Sequence, residues 1–337
     1  MEYSNFYQHL NDELIRYNSR TIKEISLPLS MQLELTSMCN MKCQYCYNSS
    51  GKRDEDELSL KEWIKITKEI IKSGGVFQCT FSGGEPLLFN GINKIMELLY
   101  ADGTVFNLIT NGTYLDKKKV QELKQFRWNW IQVSLDSTTP KIHDCIRGYV
   151  GGWEKAVNAI KLLKKADMPV HVACVVTKNT LYELKDFVEF CLSLRVDKIR
   201  FSEVLYSGRA CDSNLLFNYE EKNYFEKTIT CLKNSYNNLI EIEKATSYRE
   251  QLEYCKKFSP LSLIIRPNGD VKIDCVLPFV LGNVKSTSIL KIWKNVYQFY
   301  ESTQKENYIN MCLSGNVEIK NNVDPDVYYF MKRGVES

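Results

Sequence analysis

Residues 39–46 read Cys-Asn-Met-Lys-Cys-Gln-Tyr-Cys, so that Cys39, Cys43 and Cys46 lie on one short segment, separated by three and then two residues. Thiolates grouped in this way can ligate three irons of a [4Fe-4S] cluster, which leaves the fourth iron open for a substrate or cofactor. A structural zinc site is the alternative, but it needs a fourth Cys or His nearby. Because the chain has only three histidines, the spacing favours a cluster.

The composition agrees with a folded chain that uses its thiols for chemistry. The chain has 337 residues, of which 44% are hydrophobic and 25% are charged, as expected of a globular protein with about two domains. A net charge of +3 gives no reason to expect nucleic acid as a partner. We expect no membrane span and no signal peptide, and therefore a cytoplasmic protein. Twelve cysteines in that reducing compartment indicate metal ligation or radical chemistry rather than disulfides.

The region around the cysteine segment predicts an α/β fold. Short apolar runs alternate with segments of helical periodicity, a pattern typical of a parallel sheet joined by crossover helices. The predicted strands are 31–35, 76–81, 104–109, 130–135, 170–176 and 198–202. The predicted helices are 60–71, 92–100, 117–125, 153–166, 181–194 and 218–239. Six βα units are fewer than the eight of a closed barrel, so we expect an open partial (β/α)6 barrel with its reactive groups at the carboxyl ends of the strands.

The pattern changes after about residue 250. Apolar segments 261–266 and 271–274 flank Pro267-Asn268-Gly269-Asp270, which predicts a β-hairpin, and 289–300 has the periodicity of a helix. We therefore predict a small C-terminal α+β domain. The predicted boundaries are 1–30 for an N-terminal extension, 31–245 for the barrel, 246–315 for the small domain and 316–337 for a tail. The charge run 52–57 is expected to be a solvated loop.

Further motifs follow the next three predicted strands, each at its carboxyl end. They are Ser82-Gly83-Gly84-Glu85-Pro86, Thr110-Asn111-Gly112 and Ser134-Leu135-Asp136. Each alone also fits a tight turn or a helix cap. Together with the three-cysteine segment and the aromatic Tyr45 before its third cysteine, they resemble the radical S-adenosylmethionine (radical SAM) superfamily.

The resemblance implies both the cofactors and the residues that bind them. Cys39, Cys43 and Cys46 would ligate a [4Fe-4S] cluster that donates an electron to S-adenosylmethionine, and the resulting 5′-deoxyadenosyl radical would abstract a hydrogen atom. Glu85 would neutralise the ammonium group of the cofactor, and Arg147 would face its carboxylate. The full set of implied cofactor-binding residues is Tyr45, Gly83, Gly84, Glu85, Asn111, Ser134, Asp136 and Arg147. An exposed arginine without a cofactor role is the alternative for Arg147.

Three more cysteines, Cys255, Cys275 and Cys312, fall in the predicted small domain. Together with the hairpin turn and residues 281–284, they resemble a SPASM domain or its shorter Twitch form, which carry auxiliary iron-sulfur clusters. The full SPASM pattern has seven cysteines, so the three present here imply one auxiliary cluster. The alternative is that all three are buried structural cysteines.

The other six cysteines are sorted by their positions in the predicted elements. Four lie among apolar neighbours and are expected in the core, namely Cys79, Cys174, Cys191 and Cys231. Cys145 and Cys211 do not fit that pattern. Cys211 follows the sixth predicted strand, where a thiol could return a hydrogen atom to a substrate radical, although a structural cysteine is the alternative.

The resemblance points to an enzyme that modifies a ribosomally synthesised peptide, by epimerisation or by forming a thioether or carbon-carbon crosslink. The alternatives are a radical SAM dehydrogenase or cofactor-biosynthesis enzyme acting on a small molecule, and a zinc- or cluster-bearing module without catalysis. The expected partners are a peptide substrate and an electron donor such as flavodoxin or ferredoxin. Because only about thirty residues precede the first strand, we expect leader recognition by a separate protein or by the barrel itself.

Overall fold

One sheet of ten strands organises the part of the chain that the structure describes. The computed structural model describes residues 27–205, 207–212, 214–257, 261–273, 275, 279–300 and 303–314, so most of the predicted N-terminal extension and the whole tail lie outside the described residues. The strands are β1 Ser30–Glu34, β2 Gln78–Ser82, β3 Val105–Thr110, β4 Trp128–Ser134, β5 Val170–Val176, β6 Lys198–Glu203, β7 Glu241–Lys244, β8 Ser262–Ile265, β9 Asp270–Lys272 and β10 Gly282–Asn283. The helices are α1 Leu60–Lys72, α2 Ile92–Ala101, α3 Lys117–Leu123, α4 Pro140–Arg147, α5 Gly152–Lys165, α6 Leu184–Ser193, α7 Tyr219–Tyr236, α8 Tyr248–Lys257, α9 Ile289–Tyr300 and α10 Thr303–Leu313.

The six predicted strands form the middle of the sheet. β1 to β6 pair in chain order, and every pairing is parallel. Helices connect them as crossovers, which confirms the predicted open partial (β/α)6 barrel. Because all six strands run the same way, their carboxyl ends share one edge of the sheet, where Glu34 lies opposite Ser82.

The sheet is longer than the sequence predicts at both ends. β7 adds a parallel strand beside β6, and β8 pairs in parallel with β1 on the other side. The predicted hairpin is present, since β8 and β9 are antiparallel with Ile265 opposite Val271, and β10 pairs with β9. The hairpin of the small domain therefore continues the sheet of the barrel.

Side chains alternate between the two faces of the sheet, as the pleat requires. Leu33, Phe81 and Leu108 lie in one row of paired residues and are fully buried in the apolar core. The next row carries Gln32 and Thr80, which lie on the opposite face. One face of the sheet is thus covered by the helices, and the other lines the open barrel with polar groups.

The short helix α4 is an element that the sequence prediction missed. Thr139 stands at its N-cap position, Pro140 occupies its first turn, and Gly148 ends it with φ 60°. A proline at the start and a glycine just after the end are typical helix boundaries, so the signal was present in the sequence. This helix carries Arg147, which is buried rather than exposed.

Two predictions of exposure are wrong. Cys231 was expected in the core but is exposed, because the buried face of α7 is formed by Phe225, Ile229 and Leu232 and Cys231 points away from it. The charge run 52–57 is solvated except for Glu57, which is buried because its carboxylate accepts hydrogen bonds from Thr36 and Ser37. Cys79, Cys174 and Cys191 are buried as predicted, and Cys145 is exposed.

The C-terminal helices pack on one another and on the barrel. Lys256 Nζ of α8 donates to Asn310 Oδ1 of α10 at 2.8 Å. The backbone N–H of Ile289, at the start of α9, donates to Glu69 Oε1 of α1 at 2.7 Å. None of the helices in the described part of the chain is both long and apolar enough to cross a lipid bilayer.

Candidate functional site

The three-cysteine loop, residues 39–51, leaves the carboxyl end of β1 and packs directly against the turn after β2. Gly84 N donates to Thr36 O at 2.7 Å, and Glu85 N donates to Met38 O at 2.9 Å. Gly83 has φ 131°, and a Cβ on it would lie 2.5 Å from Thr36 O. The two glycines therefore let the backbone approach the segment that enters the cysteine loop.

The sulfur of Cys39 already lies among hydrogen-bond donors. Met41 N donates to Cys39 Sγ at 3.4 Å, and Asn111 Nδ2 is 3.9 Å from the same sulfur. Burial raises the pKa of the Cys39 thiol to about 11, so the free thiol is protonated at neutral pH. Burial also raises the pKa of Cys43, although Arg147 opposes the shift.

These donors fit an iron-sulfur cluster. Amide groups aimed at a ligating sulfur stabilise the thiolate, and a bound iron supplies the positive charge that deprotonates a buried thiol. In the described part of the chain, no three His, Cys, Asp or Glu side chains are gathered to hold a single metal ion. Thiols that each bind a different iron of one cluster do not need to converge on one point.

A buried ion pair supports the cysteine loop from the side of β4. Arg147 Nε donates to Asp136 Oδ2 at 2.7 Å, and Arg147 Nη2 donates to Asp136 Oδ1 at 3.1 Å. Tyr45 Oη donates to the same carboxylate at 2.6 Å, and the guanidinium lies 5.6 Å from the centre of the Tyr45 ring. Burial alone would raise the pKa of Asp136, but Arg147 and these hydrogen bonds hold it below its usual value.

Glu85 is fully buried at the same edge and is held by the protein itself. Its carboxylate accepts hydrogen bonds from Thr110 Oγ1 and Asn111 N, both at 2.8 Å, and from Leu87 N at 3.2 Å. Burial raises the pKa of Glu85 to about 7 against the lowering effect of these bonds. Its predicted contact with a cofactor ammonium stays a prediction.

Asn111 and Ser134 complete the predicted set at this edge. Asn111 Nδ2 donates to Asn40 Oδ1 at 2.9 Å, so the turn after β3 is bonded to the cysteine loop. Ser134 is half-buried at the end of β4. The structure therefore gathers the segments after β1, β2, β3 and β4 around one loop, and their contacts with S-adenosylmethionine stay predictions.

The three cysteines of the small domain lie on different elements. Cys275 is half-buried and lines a small cavity together with Tyr47 and Glu34, next to the three-cysteine loop. Cys312 is buried in α10, within the apolar core. Cys255 belongs to α8, which packs against α10, but its side chain lies outside the described residues. A common ligand set for these three cysteines stays a prediction.

Cys211 lies at the same edge as the cysteine loop. It is half-buried in a 3-10 turn, Gly208–Asp212, that follows β6. Its neighbour Ala210 is fully buried in an apolar cluster against which Tyr45 packs. The predicted hydrogen-donor role of Cys211 is compatible with this position and stays a prediction.

A cavity of about 220 Å³ opens where the barrel meets the hairpin. Gly83 and Gly84 line one side, and residues 266–268 and Asp270 of the hairpin line the other. Arg266 Nε lies 3.6 Å from Glu34 Oε2 across it. The hairpin is therefore part of the wall of the site.

Two residues that hold the cysteine loop were missed by sequence analysis. Glu57 accepts hydrogen bonds from Thr36 and Ser37 in the segment that enters the loop, and Arg209 donates to Cys43 O at 2.7 Å. Glu57 lies in a charged run that was expected to be solvated. No local pattern indicates the role of Arg209, because its partner Cys43 lies 166 residues away.

Two known family profiles match this chain, one over the barrel and one over the small domain. The profile of the radical SAM superfamily matches residues 33–191, and that of SPASM, an iron-sulfur cluster-binding domain, matches residues 255–314. The chain therefore contains a radical SAM domain and a SPASM domain. The predicted cofactors, S-adenosylmethionine and iron-sulfur clusters, are confirmed at the level of the family.

Curated relatives match between about half and four fifths of this chain. The sporulation killing factor maturation protein SkfB of Bacillus subtilis (strain 168) is 33% identical over 186 residues, which cover 55% of this chain and 45% of the relative. A PqqA peptide cyclase of Rhodopseudomonas palustris is 29% identical over 58% of this chain and 52% of its own length. The antilisterial bacteriocin subtilosin biosynthesis protein AlbA of Bacillus subtilis (strain 168) is 27% identical over 81% of this chain and 61% of its own length. The chain thus spans about half the length of the first two relatives.

Solved structures share the fold. Streptococcus suis SuiB bound to the precursor peptide SuiA aligns with a TM-score of 0.69 at 14% identity and covers 90% of this chain and 73% of its own. The structure of anSMEcpe with bound AdoMet aligns with a TM-score of 0.65 at 22% identity and covers 85% of this chain and 84% of its own. These similarities confirm the predicted fold class.

Proposed function

We propose that this protein is a radical SAM enzyme that modifies a ribosomally synthesised peptide, by epimerisation or by forming a thioether or carbon-carbon crosslink. When bound, the cluster and S-adenosylmethionine would supply a 5′-deoxyadenosyl radical that abstracts a hydrogen atom from the peptide. The observation that carries the proposal is the convergence of the segments after β1, β2, β3 and β4 on one cysteine loop, within a chain that also has a SPASM domain.

The residues around the loop have complementary tasks in this proposal. Cys39, Cys43 and Cys46 hold the cluster, and the glycines after β2 let backbone come close to a bound amino acid. The Asp136–Arg147 pair keeps Tyr45 in place beside the loop. Because Asp136 and Arg147 are buried, this side of the loop is shielded from water.

The names of the relatives support a peptide substrate. One relative is a peptide cyclase, a second takes part in bacteriocin biosynthesis, and a protein of the same fold was solved with its precursor peptide. An electron donor such as flavodoxin or ferredoxin, a separate leader-binding protein and a cytoplasmic location complete the proposal. Cys255, Cys275 and Cys312 would hold one auxiliary cluster.

The first experiment tests the radical chemistry itself. Cys39, Cys43 and Cys46 are changed together to Ala, and the anaerobically reconstituted protein is reduced in the presence of S-adenosylmethionine. The wild type should release 5′-deoxyadenosine and the triple variant should release none, while its circular dichroism stays that of a folded protein. Release by the triple variant would refute the assignment of the loop.

The second experiment tests the substrate and the type of product. A peptide encoded next to this gene is incubated with the wild type, with Cys211→Ala and with Cys145→Ala, which changes an exposed cysteine as a control. Epimerisation leaves the peptide mass unchanged in water and adds about one unit in deuterium oxide, because an exchanged thiol returns the hydrogen atom. Crosslinking removes about two units, since two hydrogen atoms leave the peptide.

These outcomes also decide the role of Cys211. If the enzyme is an epimerase, Cys211→Ala should still cleave S-adenosylmethionine but yield no inverted residue, and Cys145→Ala should behave as the wild type. Loss of two units with the wild type would leave Cys211 a structural residue. If no neighbouring peptide is altered and a small molecule is oxidised instead, the peptide proposal is wrong.

A further inference from the structure

Residues 207–209, which we call the β6 clamp, follow β6 and pack against the three-cysteine loop. Arg209 Nε donates to Cys43 O at 2.7 Å, and Arg209 Nη1 donates to Ser50 O at 2.8 Å. The backbone N–H of Arg209 donates to Cys46 O at 3.1 Å. One residue therefore binds three carbonyl oxygens of the loop.

The other two residues of the β6 clamp extend the same contact. Ser207 Oγ donates to Tyr47 O at 3.1 Å. Gly208 has φ 55°, and a Cβ on it would lie 2.5 Å from Tyr47 O and closer still to Cys46 O. Only glycine allows this backbone to lie so close to the loop.

The peptide group between Cys43 and Gln44 is held from both sides. Its carbonyl oxygen accepts the hydrogen bond from Arg209, and its N–H donates to Ile146 O at 2.9 Å. Because a peptide group is planar, two bonds on opposite sides prevent it from rotating. The backbone at Cys43, which carries the ligating side chain, is thereby held in place by the protein itself.

The guanidinium also places a permanent positive charge beside the loop. Arginine stays protonated at all physiological pH values, and a nearby cation favours the state of a cluster that carries one more electron. Net charge and hydrogen bonds around the ligands are the means by which a protein adjusts the potential of such a cluster.

We propose that Arg209 is a positioning residue that presets the three-cysteine loop for its cluster and raises the reduction potential of that cluster. This inference rests on the proposed function only in requiring a cluster on Cys39, Cys43 and Cys46. It does not depend on the substrate or on the type of product.

The test compares Arg209→Gln, Arg209→Lys and the control Arg195→Gln, which removes an exposed charge elsewhere. All are reconstituted anaerobically as the full chain. Iron retention is measured by competition with a chelator. The midpoint potential of the cluster is measured by a redox titration that is followed by electron paramagnetic resonance. The signal that changes when S-adenosylmethionine is added identifies the cluster of the three-cysteine loop.

Arg209→Gln should retain iron at least about tenfold less tightly than the wild type, and its midpoint potential should be more negative. Arg209→Lys should keep the midpoint potential near the wild-type value, because its ammonium keeps the positive charge. It should still retain iron less tightly than the wild type, because an ammonium cannot make the two hydrogen bonds of the guanidinium. Arg195→Gln should match the wild type. Wild-type retention and potential in Arg209→Gln would overturn the inference.

The variant Gly208→Ala tests the position of the β6 clamp separately from the charge of Arg209. It displaces the β6 clamp without changing any charge, so retention should fall while the potential of the remaining cluster stays near the wild-type value. If Arg209→Gln fails to fold, Gly208→Ala and Arg209→Lys decide the question, and wild-type retention in both would refute the inference. The two proposals can fail separately. If the cluster of the wild type depends on Arg209 but no peptide is altered, the proposed peptide substrate is wrong and the inference about Arg209 still holds.

Discussion

At the scale of single residues, the site depends on buried charges that are paired. Asp136 and Arg147 are both buried and satisfy one another through two hydrogen bonds, and Tyr45 adds a third to the carboxylate. Breaking such a pair leaves an uncompensated charge in a medium of low polarity. The sequence predicted both residues as cofactor contacts, but it could not show that they bind each other.

Asp136→Asn should therefore lower the free energy of unfolding by about 3–5 kcal/mol, since it strands the buried guanidinium. The control is Glu253→Gln, which removes the exposed pair with Arg249 and should cost no more than about 1 kcal/mol. Urea unfolding of both variants measures the two values. Equal small effects would show that Arg147 finds another partner.

Glu85 should make the stability of the cluster-free protein depend on pH. Its pKa is raised from an ordinary value of 4.5 to about 7, so the folded state holds a proton that the unfolded state has released. The contribution of this proton to the free energy of unfolding is about 3 kcal/mol. It is fully present below pH 4.5 and is lost as the pH rises through 7.

The measurement compares the wild type with Glu85→Gln, which cannot titrate. The free energy of unfolding of the variant, relative to the wild type, should rise by about 3 kcal/mol between pH 4.5 and pH 7.5. Burial lowers the pKa of His143 and of His171 to about 4, which acts in the opposite direction, but both residues are present in both proteins and cancel. A constant difference would mean that Glu85 is ionised throughout.

At the scale of elements, the hairpin β8–β9 joins the SPASM region to the barrel. Leu58 N donates to Pro267 O at 2.7 Å, and Arg266 reaches Glu34 at the end of β1. The turn depends on Gly269, which has φ 92° and lies close to Asn283. The predicted turn is therefore also a contact between the hairpin and β10.

Gly269→Ala should lower the free energy of unfolding by at least about 2 kcal/mol, because it combines an unfavourable φ with a clash at Asn283 Oδ1. Gly103→Ala is a matched control, since Gly103 has φ 94° but no atom lies within 4 Å of the position of its Cβ. That variant should lose about 1 kcal/mol from strain alone. Thermal unfolding measures both, and equal losses would exclude the contact as a source of stability.

At the scale of the whole molecule, one sheet carries both the cysteine loop and the SPASM hairpin. β8 pairs with β1, so the elements around Cys275 are anchored to the strand that ends at the cysteine loop. An auxiliary cluster held by the small domain would therefore have a fixed position relative to the first cluster.

The wild type should bind about eight irons per chain, as two [4Fe-4S] clusters require. A variant with Cys255, Cys275 and Cys312 all changed to Ala should bind about four and still cleave S-adenosylmethionine. Iron analysis of both folded proteins measures this. Equal iron near four per chain in the two proteins would exclude the auxiliary cluster.

The sequence by itself determined the strands β1 to β6, the hairpin turn and the motifs at the strand ends, because local periodicity and turn chemistry encode them. It missed β7, whose residues Glu241–Lys244 include only one apolar side chain and become a strand by pairing with β6. Only the tertiary structure decided that β8 pairs with β1, that Arg147 is buried against Asp136, and that Arg209 holds Cys43. The first and third contacts join segments far apart in the chain, and Arg147 meets Asp136 only because helix α4 turns back onto the end of β4. The free energy of all three arises from burial and hydrogen bonding that no local pattern records.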